Sequence, residues 1–180
     1  LVRKLVGIET SGSLNVLLLD KTGTLTKGKL SVIGVVLADG SKISNLNEMK
    51  FGYKGHFIDS VIYNTESYYE NNRINGGNAT DKAMLSFVGH QSKMHKIIDS
   101  KSFNSNDKYS YAMIDTKDKY FKGSKDVLLS KCVFYYNSEG KKQVISKKED
   151  IDALYNSYTK RGIRVITLVE NNCIVGFVLL

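Results

Sequence analysis

A chain of 180 residues, 42% hydrophobic and 24% charged, is long enough for one domain with a real core and carries no signature of disorder. No stretch approaches the roughly 20 apolar residues that cross a bilayer, and two cysteines without CxxC spacing argue against a disulfide framework, reading instead as reduced, buried thiols of a cytoplasmic protein. The net charge of +8 suits an anionic ligand (nucleotide, nucleic acid or acidic membrane) or a merely solvated surface, and the even spread of basic residues argues against nucleic acid.

Residues 1–12 read as a helix end or connector, and Leu14 to Leu19 as a short buried strand. Leu30 to Leu37, rich in Val and Ile, is a second strand-like run closed by a turn at Ala38-Asp39-Gly40-Ser41. Residues 41–56 are polar and glycine-containing and read as a loop. Phe57 to Glu70 has apolar and aromatic residues at helical spacing, followed by a loop from Asn71 to Asn78. Thr80 is placed to cap a helix from Asp81 to about Gly89. Strands are expected over Met94 to Phe103, Tyr109 to Asp115 and Lys119 to Lys122, then a short helix capped by Ser124 and ending near Lys131. Cys132 to Tyr136 reads as a strand and Glu139-Gly140 as a turn. A capping-box pattern, Ser146-x-x-Glu149, opens a helix to Arg161. Ile163 to Val169 and Cys173 to Leu180 form a closing hairpin around Asn171-Asn172. The sum is an α/β or α+β arrangement, an antiparallel sheet flanked by helices.

Between the first two expected strands lies Asp20-Lys21-Thr22-Gly23-Thr24-Leu25-Thr26. A carboxylate leaving the C-terminal edge of a strand can attack phosphorus and form an acyl phosphate. Lys21 adds positive charge, Gly23 lets backbone approach a phosphate, and Thr22 and Thr24 supply hydroxyls and amides. This uninterrupted run resembles the phosphorylation loop of the P-type ATPases, ion pumps that phosphorylate themselves on this aspartate.

The resemblance implies a nucleotide-binding domain after the loop, and further stretches follow in the family's order. Thr80-Asp81 stands where such pumps carry a Thr-Glu pair, so Asp81 would accept from the adenine amino group; read alone, it is a charge favoured at a helix N-terminus. Phe103-Asn104-Ser105-Asn106-Asp107-Lys108 resembles a Phe-x-Ser-x-x-Lys stretch, in which Phe103 stacks on adenine and Lys108 reaches the phosphates. Phe121-Lys122-Gly123 resembles the Lys-Gly-Ala floor of the pocket, although Ser124-Lys125-Asp126 follows here in place of Ala-Pro-Glu. Gly162-Ile163-Arg164-Val165 matches a Gly-x-Arg-Val stretch whose arginine contacts phosphates. In isolation Phe103 reads as a core residue and Arg164 as an exposed strand start. Heavy-metal pumps use a His-Pro pair for adenine and this chain has no proline, so it looks most like the calcium-pump group. His56, His90 and His95 lack metal-ligand spacing and read as structural or surface residues.

The division implied is residues 1–29 as connector and first phosphorylation-domain strand, and 30–180 as the nucleotide-binding domain ending at a hinge. ATP would phosphorylate Asp20, with Lys21 and Thr22 beside it and Mg2+ held by Asp20 and the Thr22 carbonyl. Related phosphatases of the haloacid dehalogenase class carry a general-acid aspartate two residues after the nucleophile. Thr22 at that position favours a long-lived acyl phosphate, hence a pump over a stand-alone phosphohydrolase, while a basic nucleic-acid-binding module is a third reading, marked by salt-dependent affinity. The start without methionine and the end in a strand pattern suggest a segment of a longer protein, which the resemblance implies is a membrane pump. Its partners would be ATP and the remaining phosphorylation, actuator and transmembrane domains, with no nucleic acid. The segment itself would lie on the cytoplasmic face without inserting, binding nucleotide without efficient turnover.

Overall fold

The computed structural model describes residues 12, 13, 15, 16 and 29–180. The expected strand from Leu14 to Leu19, apart from Asn15 and Val16, lies outside those residues, as do the loop at Asp20, Lys21 and Thr22 and the magnesium ligands expected there. Along the chain come β1 (Gly34–Val36), β2 (Lys42–Ile43), α1 (Phe51–Ile62), β3 (Ser67–Glu70), β4 (Arg73–Gly76) and α2 (Ala79–Val88). Then follow β5 (Ile97–Lys101), β6 (Tyr109–Ile114), β7 (Lys119–Gly123), α3 (Lys125–Leu128), β8 (Phe134–Tyr136), β9 (Lys142–Val144), α4 (Lys148–Thr159), β10 (Val165–Glu170) and β11 (Cys173–Leu179).

Among the described residues the main sheet runs β2-β1-β11-β10-β7-β6-β5, with β8 parallel to the start of β11 and β9 antiparallel to β8. Its other pairings are antiparallel. Every residue of β11 is buried, because helices cover both faces of the sheet, and a strand so placed reads as one continuous apolar run. On one face α1 and α2 bring Tyr53, Phe57, Val61, Met84 and Leu85 against Leu168, Val175 and Val178. On the other, Leu128, Leu129 and Ile151 pack on Val36, Val165, Phe177 and Leu179. This is the expected antiparallel sheet flanked by helices.

Several local expectations are corrected. Residues 41–56 are not all loop: α1 begins at Phe51 and ends at Ile62, well short of Glu70. Tyr53, Phe57 and Val61 recur every four residues and are almost wholly buried. Their burial, each worth about 1.5–3 kcal/mol, outweighs the helix cost of Gly52 and Gly55. Gly52 is there for contact, since a Cβ on it would lie 2.3 Å from the Glu139 carbonyl oxygen. Tyr68 and Tyr69, expected in that helix, belong to β3, and the expected loop from Asn71 contains β4. Asn71 and Asn72 both have positive φ (49° and 60°), the geometry of a tight two-residue hairpin.

The cap of α2 is Asn78, not Thr80: the Asn78 side chain accepts from the Asp81 N–H at 3.0 Å. Gly89 ends the helix as expected. Ser124 precedes α3 but makes no side-chain cap bond; its N–H donates to the Lys108 carbonyl. The box at Ser146 does not form either, because α4 starts at Lys148, leaving Glu149 one position too early for reciprocal capping. The closing hairpin is present as β10 and β11, with Asn171 at φ 55° in its turn.

Candidate functional site

The last strand positions of β7 and the first of β10 meet the N-terminus of α2, and between them opens a cleft of about 340 Å³. From α2 it is lined by Thr80 and Asp81, from β7 by Lys122 and Gly123, from β10 by Ile166 with Arg164 just before that strand, and from the segment after β5 by Phe103. The structure therefore gathers Asp81, Phe103, Lys122, Gly123 and Arg164. It leaves Lys108 off the cleft wall, exposed and at φ 61°. A recess of about 200 Å³ adjoins the cleft, sharing Asn78, Asp81, Phe103 and Lys122 and reaching Asn64, Glu66 and Ser110. A larger hollow, about 690 Å³ beside Lys29, Tyr69 and Phe87, holds none of the expected residues.

At the base of the cleft Asp81 and Lys122 form a buried ion pair, 3% and 7% exposed. The Lys122 ammonium donates to Asp81 Oδ1 and, at 2.7 Å, to the Asn64 carbonyl. The second carboxylate oxygen accepts from the Glu66 N–H at 3.3 Å. Both charges are thus compensated and hydrogen-bonded, the condition under which a buried pair is tolerated. Phe103 has the opposite character, with about half its surface (52%) open to solvent. Its loop is held by Asn104, whose side-chain oxygen accepts from the N–H groups of Asn106 (2.8 Å) and Asp107 (2.9 Å).

Gly123 is compelled by packing. A Cβ there would meet the Lys108 carbonyl oxygen at 2.3 Å and Tyr109 Cα at 2.6 Å, so only glycine lets β6 begin so close to the end of β7. Arg164 is exposed at the start of β10, its backbone paired with Leu180 in both directions. Among the described residues no carboxylate pairs with its guanidinium.

Sequence reading did not single out Asn64, Glu66, Asn78, Ser110 or Ile166 around the cleft. The one available signal was Asn78, an asparagine placed to cap the helix that carries Asp81. The histidines lie elsewhere: His56 stacks on Tyr136 with 3.9 Å between ring centroids, His90 meets the Tyr69 ring edge, and His95 bonds Asp115. Cys132 and Cys173 are buried and free, and burial pushes both thiols up to about 12.

A family model described as the cytoplasmic domain N of P-type ATPases matches residues 56–173, and the chain belongs to that family. It is similar to plasma membrane-type calcium-transporting ATPase 4 of Arabidopsis thaliana, 26% identical over 94% of this chain and 19% of the relative. It is likewise similar to calcium-transporting ATPase 1 of Bacillus cereus (28% identical, 93% of this chain, 20% of the relative). A third relative is the calcium-transporting ATPase lmo0841 of Listeria monocytogenes (27% identical, 76% of this chain, 17% of the relative). The chain thus spans about a fifth of the length of these curated relatives. Among the described residues no helix is long and apolar enough to cross a membrane.

Proposed function

We propose that the chain is the ATP-binding portion of a cation-transporting pump, which in the whole protein presents ATP to Asp20. The observation that carries this reading is the convergence on one cleft of an exposed aromatic ring, a buried donor–acceptor pair, a close-packed glycine and a guanidinium that no carboxylate pairs with among the described residues. The Phe103 face offers a stacking platform for a purine. Asp81 supplies an acceptor for an exocyclic amino group, and the Lys122 stem supplies an apolar wall beside it. Arg164 at the rim is placed for phosphate oxygens, with the fork geometry that suits them. Lys108 reaches the same phosphates only by swinging its exposed side chain from outside the cleft wall.

In the complete pump a carboxylate oxygen of Asp20 would attack the terminal phosphorus of ATP, forming an aspartyl phosphate as the bond to ADP breaks. Lys21 would offset charge there, and Asp20 with the Thr22 carbonyl would hold the magnesium ion. When bound, Mg2+ supplies neutralisation of charge on the phosphoryl group. Cation transport then requires the phosphorylation, actuator and transmembrane domains of the same protein, with this portion on the cytoplasmic face. The calcium-transporting relatives favour this assignment. The 180-residue chain alone should bind ATP without sustained turnover.

The test is an ATP titration followed by amide chemical shifts. Phe103→Ala should weaken binding about tenfold or more, the worth of one base–aromatic stack, while Asp20→Ala leaves it unchanged. The opposite ranking, or steady ATP hydrolysis by the chain alone, overturns the assignment.

A further inference from the structure

Lysine carries its charge on a flexible four-carbon stem, so an ammonium held in one direction at the base of a cleft requires something to aim it. The Lys122 ammonium has two acceptors, Asp81 and the carbonyl of Asn64. Asn64 follows Tyr63, the residue that caps the C-terminus of α1, so helical hydrogen bonding no longer fixes the backbone there. What fixes it is its own side chain. Asn64 Nδ2 donates to the carbonyls of Ser110 (3.2 Å) on β6 and Tyr120 (3.0 Å) on β7. Asn64 Oδ1 accepts from the Ser110 hydroxyl at 3.0 Å. Ser110 stands directly opposite Lys122 in the β6–β7 register. The side chain is 5% exposed and uses both amide hydrogens and its oxygen, a complete set of bonds for a buried carboxamide.

We propose that Asn64 is the positioning residue of the cleft. Its carboxamide ties the end of α1 to β6 and β7, and its carbonyl thereby aims the Lys122 ammonium at Asp81. The oriented pair is what the hydrogen-bonding edge of a purine meets. Asn64 itself lines the adjoining recess and not the cleft, so it acts through Lys122. Serine or alanine at this position would keep the carbonyl but lose the tie that holds it in place, and no shorter side chain reaches both strands. The inference rests on the nucleotide reading of the cleft and adds to it a residue that no motif marks.

The test is ATP affinity of the 180-residue chain with Asn64→Ala, in the unaltered and in the Lys122→Met background. Losing a buried carboxamide with this many bonds should weaken ATP binding about tenfold in the unaltered chain. In the Lys122→Met background the same change should cost no more than about twofold, because the side chain it aims is gone. An undiminished affinity, or an equal loss in both backgrounds, overturns the proposal and leaves Asn64 as structure alone. If Asn64→Ala or Lys122→Met fails to fold, Ser110→Ala serves, since it removes the hydroxyl that bonds Asn64 Oδ1 at 3.0 Å and reaches the Lys122 backbone carbonyl only at 3.4 Å. It should weaken ATP about two- to threefold and shift the ε-methylene resonance of Lys122; an unmoved resonance overturns the inference. Failure of the unaltered chain to bind ATP overturns the nucleotide reading itself, whereas binding that Asn64→Ala leaves intact overturns only the role of Asn64.

Discussion

The paired strands β7 and β10 carry buried ionisable groups at both ends, and the two ends have opposite fates. At one end Lys122 pairs with Asp81 beneath an open cleft rimmed by Phe103 and Arg164. About 7 Å along the same strands, Tyr120 faces Glu170, and Glu170 bonds His56 at 2.7 Å, with the Tyr136 ring stacked on that imidazole. There, burial and then the Glu170 charge push the phenols of Tyr120 and Tyr136 well above the usual tyrosine range. By perturbation alone this second cluster looks the more functional. Yet its rings lie against each other, its carboxylate is engaged by His56, and none of its side chains lines any of the three cavities described above. Shifted acidity marks burial; a site also needs groups left accessible and oriented toward empty space.

The strongest way to break that contrast is at the ion pair. Lys122→Met strands the Asp81 carboxylate in the interior and should lower unfolding stability by about 3–5 kcal/mol, read from denaturant melts. The double change Asp81→Leu with Lys122→Met removes both charges and should regain most of that loss while abolishing ATP binding. Should Lys122→Met melt like the unaltered chain, the pair is not buried in the way the geometry describes. A double variant that still binds ATP would remove the pair from the function altogether.

The far end should answer differently. His56→Ala removes the stack on Tyr136 and takes one hydrogen-bond partner from Glu170, which keeps its bond to Tyr136, with an expected loss of about 1–2 kcal/mol. ATP affinity, measured on the same sample, should not move. A parallel fall in affinity would show that the two ends communicate along β7 and β10, and the contrast between a site and a structural cluster would dissolve.

Why one end was legible in the sequence and the other was not has a physical basis. The cleft residues sit in contiguous stretches whose order betrays them, and strands such as Cys173 to Leu179 announce themselves by unbroken burial. The hairpin turn at Asn171-Asn172 was readable between two apolar runs. The equivalent turn at Asn71-Asn72 was hidden, because Tyr68 and Tyr69 beside it mimic helical spacing. The start of α1 was missed because Gly52 looks like a loop signal, while its real reason is the Glu139–Gly140 turn packed on it. Asn64 is illegible by nature: its partners lie 46 and 56 residues away, and no local pattern encodes such a bond. Whatever depends on long-range side-chain geometry becomes visible only once the strands are assembled.

The smallest expected effect concerns Asp59, on the α1 face toward the far cluster. Burial and then the negative charge of Glu170 hold its carboxyl above the usual carboxylate range. His56 and His95 pull it back, and Asp118 adds to the rise. A carboxyl raised in this way binds its proton more tightly in the folded than in the unfolded chain. Its contribution to stability is therefore full below the ordinary carboxylate pKa, near 4, and fades as pH climbs through the raised value. At about pH 7 the ionised Asp59 opposes folding, so Asp59→Asn should raise the thermal midpoint there by a few degrees at most. The advantage should shrink steadily as pH is lowered toward about 4, where the unaltered carboxyl is itself neutral. An Asp59→Asn chain less stable at neutral pH would mean that the carboxylate is satisfied in the fold. A change in ATP affinity on this substitution would extend the cleft's electrostatics to the far end of the sheet, where the closed stack of His56 on Tyr136 argues that they stop.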